Sequence, residues 1–164
     1  MDPAARARDL RLAVFDVDGV FTDGRLIYSA AGEETKVFHA RDGLGIKRLQ
    51  ATGIEIAIIS GRASDALSLR MRELGVQHVF QGDHNKLPLF SKLLQQFGCS
   101  ADQTAFMGDD LPDLPVLLEV GLAACPADAV DEVADVCQWQ ASAPGGHGAV
   151  REFCEFVIRA RSTG

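Results

Sequence analysis

Asp16 and Asp18 stand two residues apart in Asp16-Val17-Asp18-Gly19, and Asp109 and Asp110 adjoin in Gly108-Asp109-Asp110, with Asp113 shortly after. Between these acidic clusters lie Ser60-Gly61-Arg62 and Lys86. Carboxylates gathered at one place repel one another, and a divalent cation relieves that repulsion. Magnesium suits such a set, because it takes oxygen ligands and keeps room for waters and a phosphate oxygen. Beside a metal and a lysine, one carboxylate can attack phosphorus and form an acyl phosphate. A second, two residues on, can protonate the leaving oxygen and later deprotonate water. Ser60, the Gly61 N–H and Lys86 are donors suited to the equatorial phosphoryl oxygens. Arg62, directly after Ser60-Gly61, is placed to contact substrate.

Other polar residues admit two readings. Arg41 is a substrate contact or an ordinary surface residue, and Asp42 caps a helix beginning near Gly43. Asp110 and Asp113 cap the helix that follows, near Pro112 and Pro115, or support the metal and Lys86 from behind, and the two uses are compatible. His39, His78 and His84 read as surface or strand residues. The four cysteines, Cys99, Cys125, Cys137 and Cys154, form no CxxC pair and read as free thiols.

Chemistry of this kind needs elements that bring distant residues to one edge. Leu10 to Asp16, Ile54 to Ser60 and Thr104 to Asp109 are short apolar runs, each ending in the polar residues just named, and read as buried parallel strands. Shorter strands are expected at Val76 to Phe80, Leu122 to Ala124 and Val136 to Gln138. Helical spacing joins Leu67, Met71 and Leu74, then Leu87, Phe90, Leu94 and Phe97, and finally Val150, Phe153, Cys154, Val157 and Ile158. Gly53, Gly75 and Gly98 follow apolar segments where helices end. The alternation predicts a doubly wound α/β fold with a mainly parallel sheet, whose ligands bind beyond the carboxyl ends of the strands. Residues 24–39 interrupt it with a β-hairpin turning near Ala30 to Gly32, too short to be a cap domain.

The 164 residues suit a single domain spanning 1–164. A formal charge of −7 with no basic patch argues against nucleic acid as a partner. No apolar run approaches the ~20 residues needed to span a bilayer, and the first ten residues lack the apolar stretch of a signal peptide. A soluble protein in the reducing cytoplasm is expected.

DVDGVFTDG, SGR, the lysine at 86 and GDDLPD together resemble the four motifs of the haloacid dehalogenase superfamily. Over nearly the whole chain, DVDGVFTDGRLIYSAAGEETKVFHARDGLGIK, IISGR, GDDLPDLPVL and GGHGAVRE resemble the 3-deoxy-D-manno-octulosonate 8-phosphate phosphatases, a family in its capless branch. The resemblance implies a Rossmann-like core without a cap, a magnesium-dependent homotetramer, and production of the free octulosonate for lipopolysaccharide. It implies that Asp16 is the nucleophile and Asp18 the acid/base. Asp16, the Asp18 backbone carbonyl and Asp109 become the metal ligands, and Lys86 the partner of phosphate and nucleophile. The glycine-rich segment at 145–148 is implied to approach the site, giving His147 a substrate role or leaving it in a plain turn. Two positions depart from the family pattern: His39 stands where asparagine is expected and His147 where arginine is expected. The alternatives are a phosphatase for a related nonulosonate (sialate-type) 9-phosphate, a phosphate-receiving signalling domain, or a binding protein on an inactive scaffold.

Overall fold

The structure, a computed structural model, describes residues 2–162. Its helices are α1 (Pro3–Arg8), α2 (Ala40–Gln50), α3 (Asp65–Leu74), α4 (Lys86–Phe97), α5 (Leu114–Leu117), α6 (Asp131–Ala134) and α7 (Ala149–Ser162). Its strands are β1 (Leu12–Phe15), β2 (Ile27–Tyr28), β3 (Glu34–Thr35), β4 (Glu55–Ser60), β5 (His78–Gln81), β6 (Thr104–Met107), β7 (Leu122–Cys125) and β8 (Trp139–Gln140). Six strands form one parallel sheet in the order β5-β4-β1-β6-β7-β8, and β2 and β3 pair as a separate antiparallel hairpin. The strand order reverses at β1, so the crevice between the carboxyl ends of β1 and β6 is the topological switch point, the usual ligand position in such sheets.

The period-two alternation of a strand divides the core into two layers. Ala13 and Phe15 of β1 pack with Ile56, Ile58 and Met107 against Ile46 and Leu49 of α2, Met71 of α3, and Phe153 and Val157 of α7. Leu12 and Val14 turn the other way, to Phe106, Phe90 and Leu93 of α4, Val116 of α5 and Val133 of α6. Both faces of the sheet are thus covered, which accounts for strands that are apolar at nearly every position. The hairpin leaves between β1 and α2, and among the described residues no further segment forms a cap.

Three details differ from the reading of the sequence. The last strand is Trp139–Gln140, not Val136 to Gln138. Val136 and Cys137 are still closing the turn after α6, donating to the carbonyls of Val133 and Ala134, and pairing begins with Gln138 N–H to Ala123 C=O at 3.0 Å. The short helix α1 was not expected; Asp2 caps it, Pro3 occupies its first turn, and Arg161 of α7 donates to the carbonyls of Arg8 and Leu10. Asp42 does not cap α2, which begins at Ala40 with His39 accepting from Arg41 N–H. It is buried and accepts instead from Arg151 N–H, 3.0 Å away in the first turn of α7. A carboxylate from one helix therefore serves the start of another, where unpaired N–H groups favour negative charge.

Candidate active site

At the switch point β1 delivers Asp16, whose N–H binds Met107 C=O of β6 at 3.0 Å and so ties the two strand ends together. The chain then makes a compact turn, with the N–H groups of Val20, Phe21 and Thr22 all converging on Val17 C=O. Thr22 Oγ1 accepts from the N–H groups of Gly19 and Gly24 and closes the turn. Gly19 takes φ +85°, and a β-carbon there would lie 1.9 Å from Asp109 Oδ2. Only glycine meets both demands, and its absent side chain lets the Asp109 carboxylate sit directly on the Asp16–Gly19 loop.

A cavity of about 240 Å³ opens here, lined by Asp16, Asp18, Arg62, Lys86, Asp109 and Asp113 among others. Lys86, the first residue of α4, lies 2.9 Å from Asp16 Oδ1 and 2.6 Å from Asp113 Oδ1. Burial opposes the charge of Lys86, but the two carboxylates outweigh it and hold its pKa above the ordinary value. Asp113 Oδ2 accepts from Asp109 N–H at 2.9 Å, so one buried carboxylate orients both the lysine and the loop carrying Asp109. Asp110 caps the short turn Leu111–Asp113 by accepting from Leu111 N–H. Asp110 thus acts as a cap, while Asp113 holds Lys86 and the Asp109 backbone.

Asp16 and Asp109 carry an unrelieved electrostatic load. Burial, and then the charge of Asp113, pushes Asp16 up to about 7 despite Lys86. Burial, and then Asp16, Asp113 and Asp110, pushes Asp109 up to about 8. Carboxylate oxygens of Asp16, Asp109 and Asp113 lie within 4.8 Å of one another. Those of Asp113 are already engaged by Lys86 and the 109–110 backbone, which leaves Asp16 and Asp109 as available donors. An all-oxygen set of crowded, buried carboxylates fits a hard divalent cation.

Gly61 and Arg62 line the cavity, whereas Ser60 is buried beneath it, its Oγ donating to Arg62 C=O at 3.0 Å. Arg41 lies exposed on the first turn of α2 and His147 is exposed near Asp23; neither lines the cavity. Gly145 and Gly146 belong instead to the scaffold. A β-carbon on Gly145 would lie 1.8 Å from Gly19 C=O, and Gly146 N–H donates to Val20 C=O at 3.0 Å, so this segment is pressed against the loop after β1.

Several cavity residues escaped the sequence reading. His84 lines the cavity and packs against Gly61. The hairpin brings three more residues, Tyr28, Glu34 and Lys36, against the cavity residues Asp18 and Arg62. Lys36 Nζ lies 2.6 Å from Asp18 Oδ1 and 3.1 Å from Glu34 Oε1. Arg62 lies 3.0 Å from Glu34 Oε1, 3.7 Å from Asp18 Oδ2, and donates to the Tyr28 hydroxyl at 2.9 Å. The only prior signal was that the predicted hairpin segment contains Tyr28, Glu34 and Lys36, the last just beyond its second strand.

Residues 73–152 match the model of the haloacid dehalogenase-like hydrolases. The 3-deoxy-D-manno-octulosonate 8-phosphate phosphatase of Yersinia pestis is 41% identical over 160 residues, covering 98% of this chain and 86% of that protein. The Moraxella catarrhalis phosphatase of the same name, solved with magnesium ion, phosphate ion and a KDO molecule, has a TM-score of 0.96 at 37% identity, covering 98% of this chain and 92% of that one. The cobalt-bound Haemophilus influenzae enzyme has a TM-score of 0.93 at 40% identity, covering 96% and 92%. Likeness of this extent, in sequence and in the path of the backbone, places the chain in the family of 3-deoxy-D-manno-octulosonate 8-phosphate phosphatases, among the haloacid dehalogenase-like hydrolases.

Proposed function

We propose that this chain is a magnesium-dependent phosphatase that hydrolyses 3-deoxy-D-manno-octulosonate 8-phosphate to the free sugar acid and phosphate, a step toward lipopolysaccharide precursors. The observation that carries the reading is the match to the Moraxella catarrhalis enzyme, whose structure holds magnesium, phosphate and the KDO sugar together. Asp16 is the nucleophile: one of its carboxylate oxygens bonds to phosphorus while the bond from phosphorus to the ester oxygen breaks. Asp18 gives its proton to that leaving oxygen. In the second half, water attacks phosphorus, Asp18 takes the water proton, and the bond to Asp16 breaks to release phosphate. Lys86 holds Asp16 in place and, with the Gly61 N–H and Arg62, meets the phosphoryl oxygens; Ser60 supports this turn from below. Asp16, the Asp18 backbone carbonyl and Asp109 would hold magnesium, which would supply positive charge where the phosphoryl oxygens gain negative charge. Asp110 and Asp113 maintain that donor set.

In this reading residues 1–164 act as one catalytic domain with the hairpin, about 24–39, as an insertion, and Arg41 and His147 are substrate contacts. The enzyme works as a homotetramer in the cytoplasm. Support comes from the exposed Leu26, Ile27, Tyr28 and Val37 of the hairpin, which a two-stranded ribbon cannot bury alone, and from four free cysteines. No helix among the described residues is long and apolar enough to cross a membrane. The test is phosphate release from a panel of sugar-acid phosphates, with and without magnesium. Octulosonate 8-phosphate should show the highest kcat/KM and need the metal; a sialate-type 9-phosphate preferred about tenfold, roughly 1.4 kcal/mol, would overturn the substrate.

A further inference from the structure

Lys36 is a lysine whose side chain is only 3% exposed, beside the cavity residue Asp18, although lysines are ordinarily solvated. Its ammonium makes a 2.6 Å contact with Asp18 Oδ1, and Glu34, two residues earlier on the hairpin, accepts from it at 3.1 Å. The other Asp18 oxygen is held less closely. Its nearest cation is Arg62 Nε at 3.7 Å, beyond hydrogen-bond reach, and that Nε is buried without a hydrogen-bond partner. One oxygen of the carboxylate is therefore hydrogen-bonded, and the other has only the longer ion pair with Arg62. An acid that later acts as a base needs this asymmetry, since the same oxygen must meet first the leaving oxygen and then water, and small misplacements of catalytic groups are expensive in rate.

We infer that Lys36 is a positioning residue for Asp18, supplied by the hairpin, which fixes Oδ1 so that Oδ2 handles the proton. The inference rests on the acid/base reading of Asp18. Lys36 itself keeps its protons: Oδ2–H loses its proton to the ester oxygen as the phosphorus–ester bond breaks, and regains one from water as the bond to Asp16 breaks. Glu34 and Arg62 complete an alternating set of two anions and two cations, so that a buried ammonium and two part-buried carboxylates are all paired. The hairpin is then part of the catalytic apparatus as well as an exposed apolar surface.

A double-mutant cycle with the magnesium-loaded enzyme tests this. Lys36→Met, Asp18→Asn and the pair are compared for kcat and KM on octulosonate 8-phosphate, with folding and assembly checked by circular dichroism and light scattering. Lys36→Met should lower kcat about 10- to 100-fold, part of the general acid–base contribution, with KM within about threefold. In the Asp18→Asn background the same change should cost no more than about twofold, because the group it positions is gone. With an activated aryl phosphate, Lys36→Met should accumulate phosphoenzyme, visible by mass spectrometry after acid quench; a purely structural lysine would not produce it. Should Lys36→Met fail to fold, Lys36→Gln goes through the same cycle and must show the same coupling. Equal losses in both backgrounds, or a rise in KM with kcat kept, would overturn the inference in favour of a structural or substrate-binding role. If Asp18→Asn itself retains full turnover, the acid/base reading fails and this inference with it. If Asp18→Asn is slow while the Lys36 variants keep kcat, only the inference fails.

Discussion

At the scale of single residues, the two carboxylates of Asp16-Val17-Asp18 sit in unlike surroundings. Asp16 is buried against Lys86, while Asp18 faces Lys36 of the hairpin and Arg62. Asp16→Asn should abolish both turnover and phosphoenzyme. Asp18→Asn should lose about 10²- to 10⁴-fold in turnover, keep magnesium binding, and trap phosphoenzyme from an aryl phosphate. Acid-quench mass spectrometry reads both, and an adduct on the Asp16 variant would exchange the assignments. A second expectation concerns pH. Burial, followed by neighbouring carboxylates, raises Asp16 to about 7 and Asp109 to about 8 from an ordinary 3.8. Values above those of the unfolded chain mean that the protonated forms favour the fold. This contribution is complete below the ordinary carboxylate value and is lost as pH rises through about 7 to 8. The metal-free protein should therefore lose stability across that window, while magnesium, which needs both carboxylates ionised, should bind more tightly and release protons. Thermal melts with and without magnesium should show a larger metal-induced rise in Tm near pH 8.5 than near pH 6; equal rises would count against these two residues as ligands. Asp16, Asp18, Lys86 and Asp109 were legible in the sequence because each adjoins an apolar run or opens a periodic one. Lys36 and Glu34 were not, since their place depends on a hairpin folding back over the strand ends, which no local pattern encodes.

At the scale of elements, the loop after β1 is held from three sides: by Met107, by the glycine segment before α7, and through α7 by Asp42. Asp42→Ala would leave a buried helix start without its acceptor and should cost about 1–3 kcal/mol, measured by urea unfolding. Loss of activity should accompany it, because the segment resting on Gly19 is carried by the same helix. Unchanged stability would mean that water replaces the carboxylate. The periodicities of α3, α4 and α7 were readable because each buries one stripe. The role of Asp42 was not, because an acid early in a helix looks the same whether it serves its own N-terminus or that of another helix packed against it.

At the scale of the molecule, the strand order follows from alternating strand and helix signals, but nothing in a single chain's pattern states how the hairpin's apolar side chains are covered. Val37 is 59% exposed and Tyr28 55%. If copies of the chain cover them, Val37→Glu should shift light scattering from tetramer toward smaller species and lower activity, since Glu34 and Lys36 lie on the same hairpin. A monomeric wild type with full activity would rule this out. The central place of β1 has a further consequence, for synthesis on the ribosome. This first strand pairs on one side with residues 55–58 and on the other with residues 104–107. Its earlier partner emerges soon, but its later one is made only after two further helices and one further strand, and until then Asp16 lacks Met107 and Asp109 beside it. Nascent chains stalled before residue 104 should leave β1 open to protease along one edge, and those stalled well beyond residue 125 should protect it. The newly made enzyme therefore passes most of its synthesis with Asp16 already translated and no site around it.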